Sequence, residues 1–575
     1  MTKKLIITRV SKSFDPLWQE VLGPWCFVGS EDIYPEWENL EFVDAFTDIK
    51  QLETEETNCR KLSAVFCTKF GKKLNEKHNK SYSFSFWRLI LISWILSSVQ
   101  GLWTRYRHIE RFVAKKKGQT FEVFLAPKSV PEKFTGFLEF QHCQRRSPRF
   151  DFWLSSMVLR CIAPENWVLV EPDPKHGWEC FKDIPGAKPL RTLEQRSILG
   201  TLARTLMGRL RFDSVPGTSF SKIPLSLFLS LMPKRAESQT NYNFPDETIV
   251  QEFPEIFIDL LNTFLEQTIP DAYGSRFKEL DNQAVKKNYT ARRIFIGNYM
   301  PTNELRRFEA AHAMEKGEKL VSVQHGGGYG IARNNSWVAE LEYPLHAFFS
   351  WGWLKHGDYS GNFIPLPSPW LSRYENQHKE LNNSILMPGT KTDLGDVRPF
   401  GPRPRDWISY RKDKLQFIEK LEGSLQDNLF YYPYNRGTTD LLEETYIREK
   451  GGQVKLAGSG LNRDMLKCRL LVLDHPGTTL HLSMAANVPT ICFWNPKTFY
   501  ASPDAERFFN LFRDEGILFS SPKTAAEAVN KNWNNINSWW GSDRVQSVRR
   551  EWCQSHSRTS RVWWWYWARE LFALR

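Results

Sequence analysis

The second half of the chain alternates short apolar runs with helical or loop segments, and this alternation constrains the fold more than any other feature of the sequence. Five strand-like runs follow one another: SILMPGT (384–390), NLFYYPYN (428–435), QVKLAG (453–458), RLLVLDHPGTT (469–479) and PTICFWNP (489–496). Continuous apolar strands need cover on both faces, and strands joined through helices pair in parallel. The pattern predicts a doubly wound α/β domain with its ligand at the carboxyl ends of the strands.

The first half shows the same pattern over a shorter stretch. RRIFIGN is typical of a strand, NELRRFEAAHAMEKG of a helix that ends at Gly317, and KLVSV of the next strand. Residues 74–115 place apolar side chains three and four apart, which predicts long helices. Because 575 residues exceed what one hydrophobic core normally supports, we expect two Rossmann-like domains that face a cleft, with helical elaborations in the N-terminal half.

The expected boundaries follow breaks in composition. Residues 1–360 form the N-terminal domain with its helical insertions, and residues 361–545 form the second domain, with the Pro-rich segment 363–372 as the linker between them. Residues 546–575 contain RVWWWYWARELFALR, which predicts an aromatic helix that packs across the domains. Contact between this basic aromatic helix and an anionic membrane surface is the alternative.

Charge and cysteine usage bear on partners and compartment. The net charge of +12 favours anionic partners without choosing among nucleic acid, acidic lipid and phosphate-bearing substrates. The nine cysteines are dispersed and include no CxxC pair, as expected of reduced thiols in a cytoplasmic protein. The longest apolar stretch, residues 89–102, is shorter than the ~20 residues that span a bilayer, so we expect a buried helix there.

The most unusual local feature is KLVSVQHGGGYGI at residues 319–331. Glycine is costly to order, so such a run marks a tight turn or a place where something approaches the backbone. His325, at a strand end, suits a general base that acts on an acceptor hydroxyl, or a group that stabilises a departing phosphate. Gln324 would orient the histidine or the substrate. A hydrogen-bonded core histidine is the alternative.

The loop and its neighbours supply further candidates. Gly326, Gly327 and Gly328 would let the loop approach the donor, and Tyr329 would stack on a base or an acceptor sugar, or else cover the loop. Glu340, in WVAELEYP, is a second candidate base, with a solvated helix carboxylate as the alternative.

A second constellation follows the strand RLLVL. The chain turns and then opens a helix, and the N-terminal N–H groups of a helix favour an anion. The residues predicted to form this anion site are Asp474, His475, Pro476, Gly477, Thr478 and Thr479. The alternatives are a threonine N-cap after a Pro-Gly turn, and an aspartate that caps the turn. We expect this turn and the loop of His325 to share one ligand-binding gap.

Weaker candidates lie elsewhere. His78 and Asn79, in NEKHNKS, would line the acceptor side of the cleft, or else cap a helix. Arg436, after YYPYN, would neutralise a phosphate, although a surface arginine is the ordinary role. No dinucleotide fingerprint, P-loop, HExxH, GxSxG or Cys/His cluster is found, so no metal or cofactor is predicted.

Several blocks together resemble the transferases of bacterial surface-polysaccharide and O-antigen gene clusters. The blocks are GPWCF (23–27), EKGEKLVSVQHGGGYG (315–330), FFSWGW (348–353), HPGTTLHLSMAANVPTICFWNP (475–496) and EGILFSSPKTAAEAVNKNW (515–533). The resemblance implies a GT-B-type fold and transfer from a nucleotide-activated donor to a surface-glycan acceptor. On this interpretation residues 1–360 are the acceptor side and residues 361–545 the nucleotide-donor side, and the nucleotide lies between the loop of His325 and the turn at 475–479, which binds the donor phosphates. Where many GT-B enzymes carry a glutamate after the phosphate-binding turn, this chain carries Leu482, preceded by His481.

More distant likenesses bear on the donor. The strand-end QHG resembles the HG motif of teichoic-acid glycerophosphotransferases, and His-Pro resembles the element with which sialyltransferase-like and Kdo-transferase enzymes hold a cytidine monophosphate donor. The preferred hypothesis is a metal-independent glycosyltransferase that uses a CMP-linked 3-deoxy or nonulosonic acid sugar as its donor. Transfer of glycerol phosphate from CDP-glycerol is the second hypothesis. A non-catalytic polyanion- or nucleic-acid-binding protein is the third, but no nucleic-acid-binding module is recognisable.

Overall fold

The computed structural model describes residues 2–46, 48–173, 175, 177–184, 186, 245–287, 294–296, 303–390, 401–403, 406–434, 442–455 and 460–574. Within these residues, the strands form three sheets in which every pairing is parallel. Arg436 lies outside the described residues.

The first sheet is assembled from strands far apart in sequence. Its strands are β1 (Lys3–Ile6), β2 (Gln19–Val21), β3 (Phe121–Phe124) and β4 (Val168–Val170), in the order β2-β1-β3-β4. Between β2 and β3, two long helices form a hairpin, α1 (Ile49–His78) and α2 (Phe84–Lys115); α3 (Phe137–Arg146) and α4 (Pro148–Ile162) follow β3. Ser83 begins α2 by accepting a hydrogen bond from the backbone N–H of Phe86.

The second sheet carries the strand before the glycine loop. After α5 (Glu255–Thr268) and α6 (Phe277–Lys287), the chain runs through β5 (Ile294–Ile296), α7 (Glu304–Glu315), β6 (Lys319–Val323), α8 (Ser336–Leu341), β7 (Ala347–Ser350) and β8 (Phe363–Pro365). The strand order is β5-β6-β7-β8.

The third sheet has six strands in the order β11-β10-β9-β12-β13-β14. Its strands are β9 (Ile385–Pro388), β10 (Leu429–Tyr432), β11 (Gln453–Val454), β12 (Leu470–Leu473), β13 (Thr490–Phe493) and β14 (Leu518–Phe519). The helices of this part are α9 (Trp407–Lys420), α10 (Gly423–Gln426), α11 (Glu443–Glu449), α12 (Leu461–Met465), α13 (Thr478–Ala486), α14 (Pro503–Asp514), α15 (Pro522–Asn532), α16 (Ile536–Trp540), α17 (Asp543–His556) and α18 (Trp563–Ala573). Every residue of β12 is buried, as its continuous apolar sequence predicts.

The prediction of an α/β fold with parallel strands in both halves is confirmed. The first half differs in detail, because its strands form two separate sheets. The Pro-rich segment taken as a linker contains β8, which extends the second sheet by pairing with β7. A proline is tolerated there because β8 is an edge strand, where a missing backbone N–H breaks no pairing.

Helix α2 is long and apolar enough to cross a membrane by length and composition alone. In this structure 94% of its apolar window is buried inside the protein. It packs against α1, α4, α5 and α7, so it forms the centre of the first hydrophobic core.

The C-terminal helix α18 returns to the first half of the chain. Trp563, Trp567 and Leu571 pack with Val321 and Phe349 of the second sheet in one apolar cluster. The indole N–H of Trp567 donates to the carbonyl of Pro367 at 3.0 Å. The opposite side of the helix is partly exposed, and its aromatic side chains there are Trp565, 56% exposed, and Phe572, 46% exposed.

Candidate functional site

The glycine loop after β6 and the turn after β12 lie in direct contact, although 150 residues separate them. The backbone N–H of Gly327 donates to Oγ1 of Thr478 at 3.0 Å. A Cβ atom on Gly327 would lie 2.3 Å from the carbonyl carbon of Gly477 and from the nitrogen of Thr478. Only glycine permits this approach of two backbones, so the close approach predicted from the glycine run is to another part of the same chain.

A buried histidine, His481, stabilises this contact by hydrogen bonds. The Nε2–H of His481 donates to the carbonyl of Gly327 at 3.2 Å, and its Nδ1 lies 2.9 Å from the hydroxyl of Ser557. Burial lowers the pKa of His481 to about 4, against the opposing effect of hydrogen bonds to backbone carbonyls. His481 therefore joins three segments of this protein as a neutral side chain. It stands one residue before Leu482, the position at which many GT-B enzymes carry a glutamate.

The other glycines of the loop divide into two kinds. Gly330 has φ +73°, and a Cβ there would lie 2.7 Å from the indole of Trp353. At Gly326 and Gly328 the nearest atoms to a Cβ would be 3.8 and 3.9 Å away. Gly327 and Gly330 are thus required by the fold, whereas a Cβ at Gly326 or Gly328 would make only ordinary van der Waals contact.

His325 is one end of a chain of hydrogen bonds that continues through Tyr329 to Glu342. The hydroxyl of Tyr329 lies 2.8 Å from its Nδ1 and 3.2 Å from its Nε2. The same hydroxyl donates to Oε1 of Glu342 at 3.0 Å, and Ser322 donates to Oε2 of Glu342 at 2.7 Å. Tyr329 is 4% exposed, so it links the histidine to a carboxylate instead of stacking on a ligand.

Burial sets the protonation of both ends of this chain. It lowers the pKa of His325 to about 4, against the opposing hydrogen bond to the Val323 backbone, so the imidazole is neutral near pH 7. Burial also raises the pKa of Glu342 to about 7, while hydrogen bonds from Ser322 and Tyr329 oppose the rise. A neutral base is therefore connected to a carboxyl group that exchanges its proton near neutral pH.

The side-chain oxygen and nitrogen of Gln324 are both hydrogen-bonded within the protein. It is fully buried, and its Oε1 accepts from the backbone N–H of Trp351 and the indole N–H of Trp353, both at 2.8 Å. Its Nε2 donates to the carbonyl of Gly326 at 3.1 Å. The side chain thus fixes the start of the glycine loop and presents no surface to a donor.

The imidazole of His475 lies over the start of α13. Its Nδ1–H donates to Oδ1 of Asp474 at 2.5 Å. A Cβ on Gly477 would lie 2.9 Å from Nε2 of His475, so the glycine lets the ring fold back over the helix N-terminus. Pro476 turns the chain and is buried, while His475, Gly477 and Thr479 are partly exposed. The accessible side of the turn is where an anion can reach the helix N-terminus.

Asp474 is the buried centre that orients this histidine. The hydroxyl of Tyr410 donates to its Oδ2 at 2.6 Å, and Nζ of Lys414 lies 3.4 Å from the same oxygen. Lys414 also pairs with Glu443. Burial by itself would raise the pKa of Asp474, but Lys414, His475 and Tyr410 outweigh it and hold the pKa below its ordinary value. The carboxylate is 2% exposed, so it supports the turn without facing a ligand.

The structure does not bring Glu340 to His325. Its carboxylate pairs with Arg60, where Nε lies 2.9 Å from Oε1, and with Arg88. Glu342, two residues further on, is the carboxylate that accepts from Tyr329 and is linked through it to His325. We call His325, Tyr329 and Glu342 the relay of His325. Positions two apart near a helix end point about 200° apart around the axis, so the two glutamates serve different sites.

The predicted acceptor residues His78 and Asn79 lie at the far end of α1. Nε2 of His78 is 3.0 Å from the carbonyl of Tyr273, and its ring stacks on Phe277 at 4.2 Å. Asn79 ends the helix with φ 52°. At about 1.5 Å per residue, His78 is about 27 Å along the helix from Arg60, the residue that faces Glu340. Both residues are engaged in ending and packing α1.

The expected position of the nucleotide needs a correction. The loop of His325 and the turn at 475–479 meet, as predicted, but the backbones of Gly327 and Gly477 touch and leave no room between them. A ligand of the turn must lie beside this contact, on the side where His475 and Thr479 are partly exposed. No group of three or more His, Cys, Asp or Glu side chains within the described residues has the geometry of a metal site.

Sequence reasoning missed Glu342, Tyr410 and Lys414. Glu342 had a visible signal, since a second carboxylate stood two residues after Glu340, but its direction depends on where α8 ends. Tyr410 and Lys414 lie more than fifty residues before Asp474 on α9, and nothing in the local sequence indicates that their side chains reach it.

Comparisons with known proteins place the chain in a family. A comparison with curated proteins gives no match. Among solved structures, WaaG, a glycosyltransferase involved in lipopolysaccharide biosynthesis, matches at 12% identity over 82% of this chain and 95% of that chain. The TM-score is 0.23, too low for that likeness to support a function. The model of the LIC12162 family of transferases matches residues 3–571, almost the whole length. This chain belongs to the LIC12162 transferase family.

Proposed function

We propose that this transferase is a metal-independent glycosyltransferase of the GT-B type that moves a sugar from a nucleotide-activated donor to a bacterial surface glycan. The observation that carries the proposal is the contact between Gly327 and Thr478. It joins a strand-end histidine of one parallel sheet to a strand-end helix N-terminus of another, and ligands of parallel α/β sheets bind at these edges. Membership of a transferase family supports a group-transfer reaction.

The donor phosphate would lie against the open side of the turn. His475, oriented by Asp474, and the first N–H groups of α13 would stabilise the negative charge that builds up on the departing nucleotide. We prefer a CMP-linked 3-deoxy or nonulosonic acid donor because of the His-Pro pair at 475–476. No metal is required in this scheme, since a helix N-terminus and an imidazole supply the electrostatic stabilisation.

The relay of His325, Tyr329 and Glu342 would activate the acceptor. As the acceptor oxygen bonds to the anomeric carbon, its proton passes to the neutral imidazole of His325. The imidazolium N–H then gives a proton to the oxygen of Tyr329, whose own proton moves to the carboxylate of Glu342. The bond between the anomeric carbon and the donor phosphate breaks, and the electron pair leaves with the nucleotide. A positioned general base of this kind contributes ~10²–10⁴-fold.

The test is turnover of the purified chain with CMP-, UDP- and GDP-sugars and with CDP-glycerol, followed by the release of each nucleotide. We expect CMP release from a CMP-sugar, and its loss in His325→Ala. His378→Ala is the matched control, since His378 is a partly buried histidine whose ring hydrogen-bonds the carbonyl of Cys468 at 2.8 Å, away from the residues of the glycine loop and the turn.

Each other outcome has a definite meaning. Release of UDP or GDP alone contradicts the CMP-linked donor and still supports a glycosyltransferase. Turnover of CDP-glycerol alone contradicts the glycosyltransferase and supports a glycerophosphotransferase. No turnover and no binding of any of these donors refutes the proposal.

We infer that the protein works in the cytoplasm at the inner face of the membrane, where α18 presents Trp565 and Phe572 beside the exposed Arg569. An aromatic and basic helix face suits an anionic lipid interface. Co-sedimentation with phosphatidylglycerol vesicles, lost in Trp565→Ser, supports this location. Equal sedimentation of the variant and the parent protein contradicts it.

A further inference from the structure

A large polar cavity lies outside the contact between the glycine loop and the turn. Its volume is about 1100 Å³, and its walls come from α1, α2, residues 333–346, residues 357–362 and Pro503. Neither residues 324–330 nor residues 474–479, all described, are among its lining residues. Ligand sites for drug-sized molecules have volumes of about 300–1,000 Å³, so this cavity has room for more than one sugar unit.

The inner wall of the cavity is a fixed array of charged groups. Glu340 pairs with both Arg60 and Arg88, and all three side chains are at most 22% exposed. The guanidinium of Arg60 also lies 5.0 Å from the centre of the ring of Tyr359. The hydroxyl of Tyr359 in turn accepts from the backbone N–H of Asn335 at 2.7 Å. Groups held by this many partners are oriented before a ligand arrives, which lowers the cost of binding.

The wall carries charges of both signs. Glu56 accepts from Ser336 and from Nδ2 of Asn334, and Arg333 pairs with Glu53. The charged lining residues are Arg60, Arg88, Arg333, Glu53, Glu56, Glu340 and Asp358. Three positive groups beside four negative groups do not favour a polyanion. Carboxylate acceptors beside guanidinium and amide donors, with a tyrosine ring alongside, instead match the paired hydroxyls and flat C–H faces of a sugar.

A series of aromatic ring contacts connects the cavity wall to Tyr329 and His325. Tyr343 lines the cavity and meets Phe348 edge-on, with 4.9 Å between ring centres. Phe348 stacks on Tyr329, with 5.4 Å between ring centres, and Tyr329 contacts His325. The short segment around α8 thus contributes Glu340 to the cavity and, two residues later, Glu342 to the relay.

We propose that this cavity binds a stretch of the glycan acceptor, an uncharged, hydroxyl-rich oligosaccharide, at sugar units remote from the one that reacts. The inference rests on the proposed function, because it takes the ligand to be the acceptor of that reaction. It assigns specificity for the glycan to the α1–α2 hairpin and α8, and recognition of the donor to the turn at 475–479.

The experiment measures oligosaccharide binding by calorimetry. The probes are the dephosphorylated oligosaccharide released from bacterial lipopolysaccharide, maltoheptaose as a plain neutral glycan, and heparin as a polyanion. Ser360→Trp and, separately, Asn362→Trp add bulk at exposed positions of the cavity wall. The matched control is Leu354→Trp, at a position near the same loop that is 69% exposed and outside the lining.

We expect saturable binding of at least one uncharged glycan to the parent protein and to Leu354→Trp, weakened at least tenfold in both cavity variants. Binding of heparin alone, unchanged glycan affinity in the cavity variants, or no glycan binding by the parent protein overturns the inference. Hydrolysis of the nucleotide-sugar donor in the absence of acceptor is measured in parallel, and should persist in Ser360→Trp. Glycan binding without any donor turnover counts against the proposed function alone, whereas donor turnover without glycan binding counts against the cavity alone.

Discussion

Replacement of Gly327 by alanine tests the contact on which the site is built. The added Cβ would lie 2.3 Å from two backbone atoms of Gly477 and Thr478. Ordinary contact begins at about 3.4 Å, so the loop and the turn must separate by roughly 1 Å. Neither obstacle is a side chain that can rotate away.

The expected cost has two parts. Overpacking a well-packed contact costs about 1–3 kcal/mol, and loss of the hydrogen bond from Gly327 to Thr478 adds about 0.5–1.5 kcal/mol. We therefore expect Gly327→Ala to lower the free energy of unfolding of the segment that includes this contact by about 2–4 kcal/mol. Because a displacement of about 1 Å at a catalytic site can reduce turnover ~100-fold, we expect a loss of that size in donor turnover.

The assay is denaturant unfolding combined with nucleotide release, and Gly326→Ala is the matched control. At Gly326 the nearest atom to a Cβ is 3.8 Å away, so that variant should unfold within about 0.5 kcal/mol of the parent protein. If Gly327→Ala unfolds and turns over like Gly326→Ala, the two backbones do not touch as described, and the site has a different geometry.

Three further predictions concern the relay, the turn and α18. The pKa of Glu342 is raised from 4.5 to about 7, so its contribution to stability is complete below pH 4.5 and is lost as the pH rises through 7, by about 3 kcal/mol. Glu342→Gln should flatten this pH dependence in unfolding measured from pH 4 to 8; an unchanged profile contradicts the assignment. His475→Ala should weaken CMP binding about 10–100-fold in calorimetry, the value of a hydrogen bond to a charged group, and equal affinity would exclude the ring from the phosphate site. Trp567→Ala, at a side chain 1% exposed, should cost about 3–5 kcal/mol of unfolding free energy, against less than about 0.5 kcal/mol for the exposed Trp565→Ala; similar losses would show that α18 does not pack as described.

The elements of the fold could be predicted where the sequence pattern is local. The continuous apolar run before Asp474 predicts a buried parallel strand, and the structure has β12 there with every residue buried. The glycine at 317 predicts the end of a helix, and α7 ends two residues before it. Strand ends followed by polar or glycine residues also indicated both parts of the candidate site. These features depend on the covalent chain and its immediate neighbours.

The partners of those residues could not be predicted in this way. Whether Glu340 or Glu342 serves His325 depends on the end of α8 and on Tyr329. Which glycine is indispensable depends on Gly477, 150 residues from Gly327, and the sequence shows only that four glycines occur together. The separation of the first half into two sheets depends equally on strand pairings made across the chain.

The sequence by itself determined that this chain forms parallel sheets with a histidine and a helix N-terminus at strand ends. Only the tertiary structure decided that these two meet, that a tyrosine and a glutamate are hydrogen-bonded in series to the histidine, and that a polar cavity lined by charges of both signs opens nearby. The physical reason is that periodic burial and helix stop signals act over a few residues. Contact, burial and pKa depend instead on groups that only the folded chain brings within a few ångströms of one another.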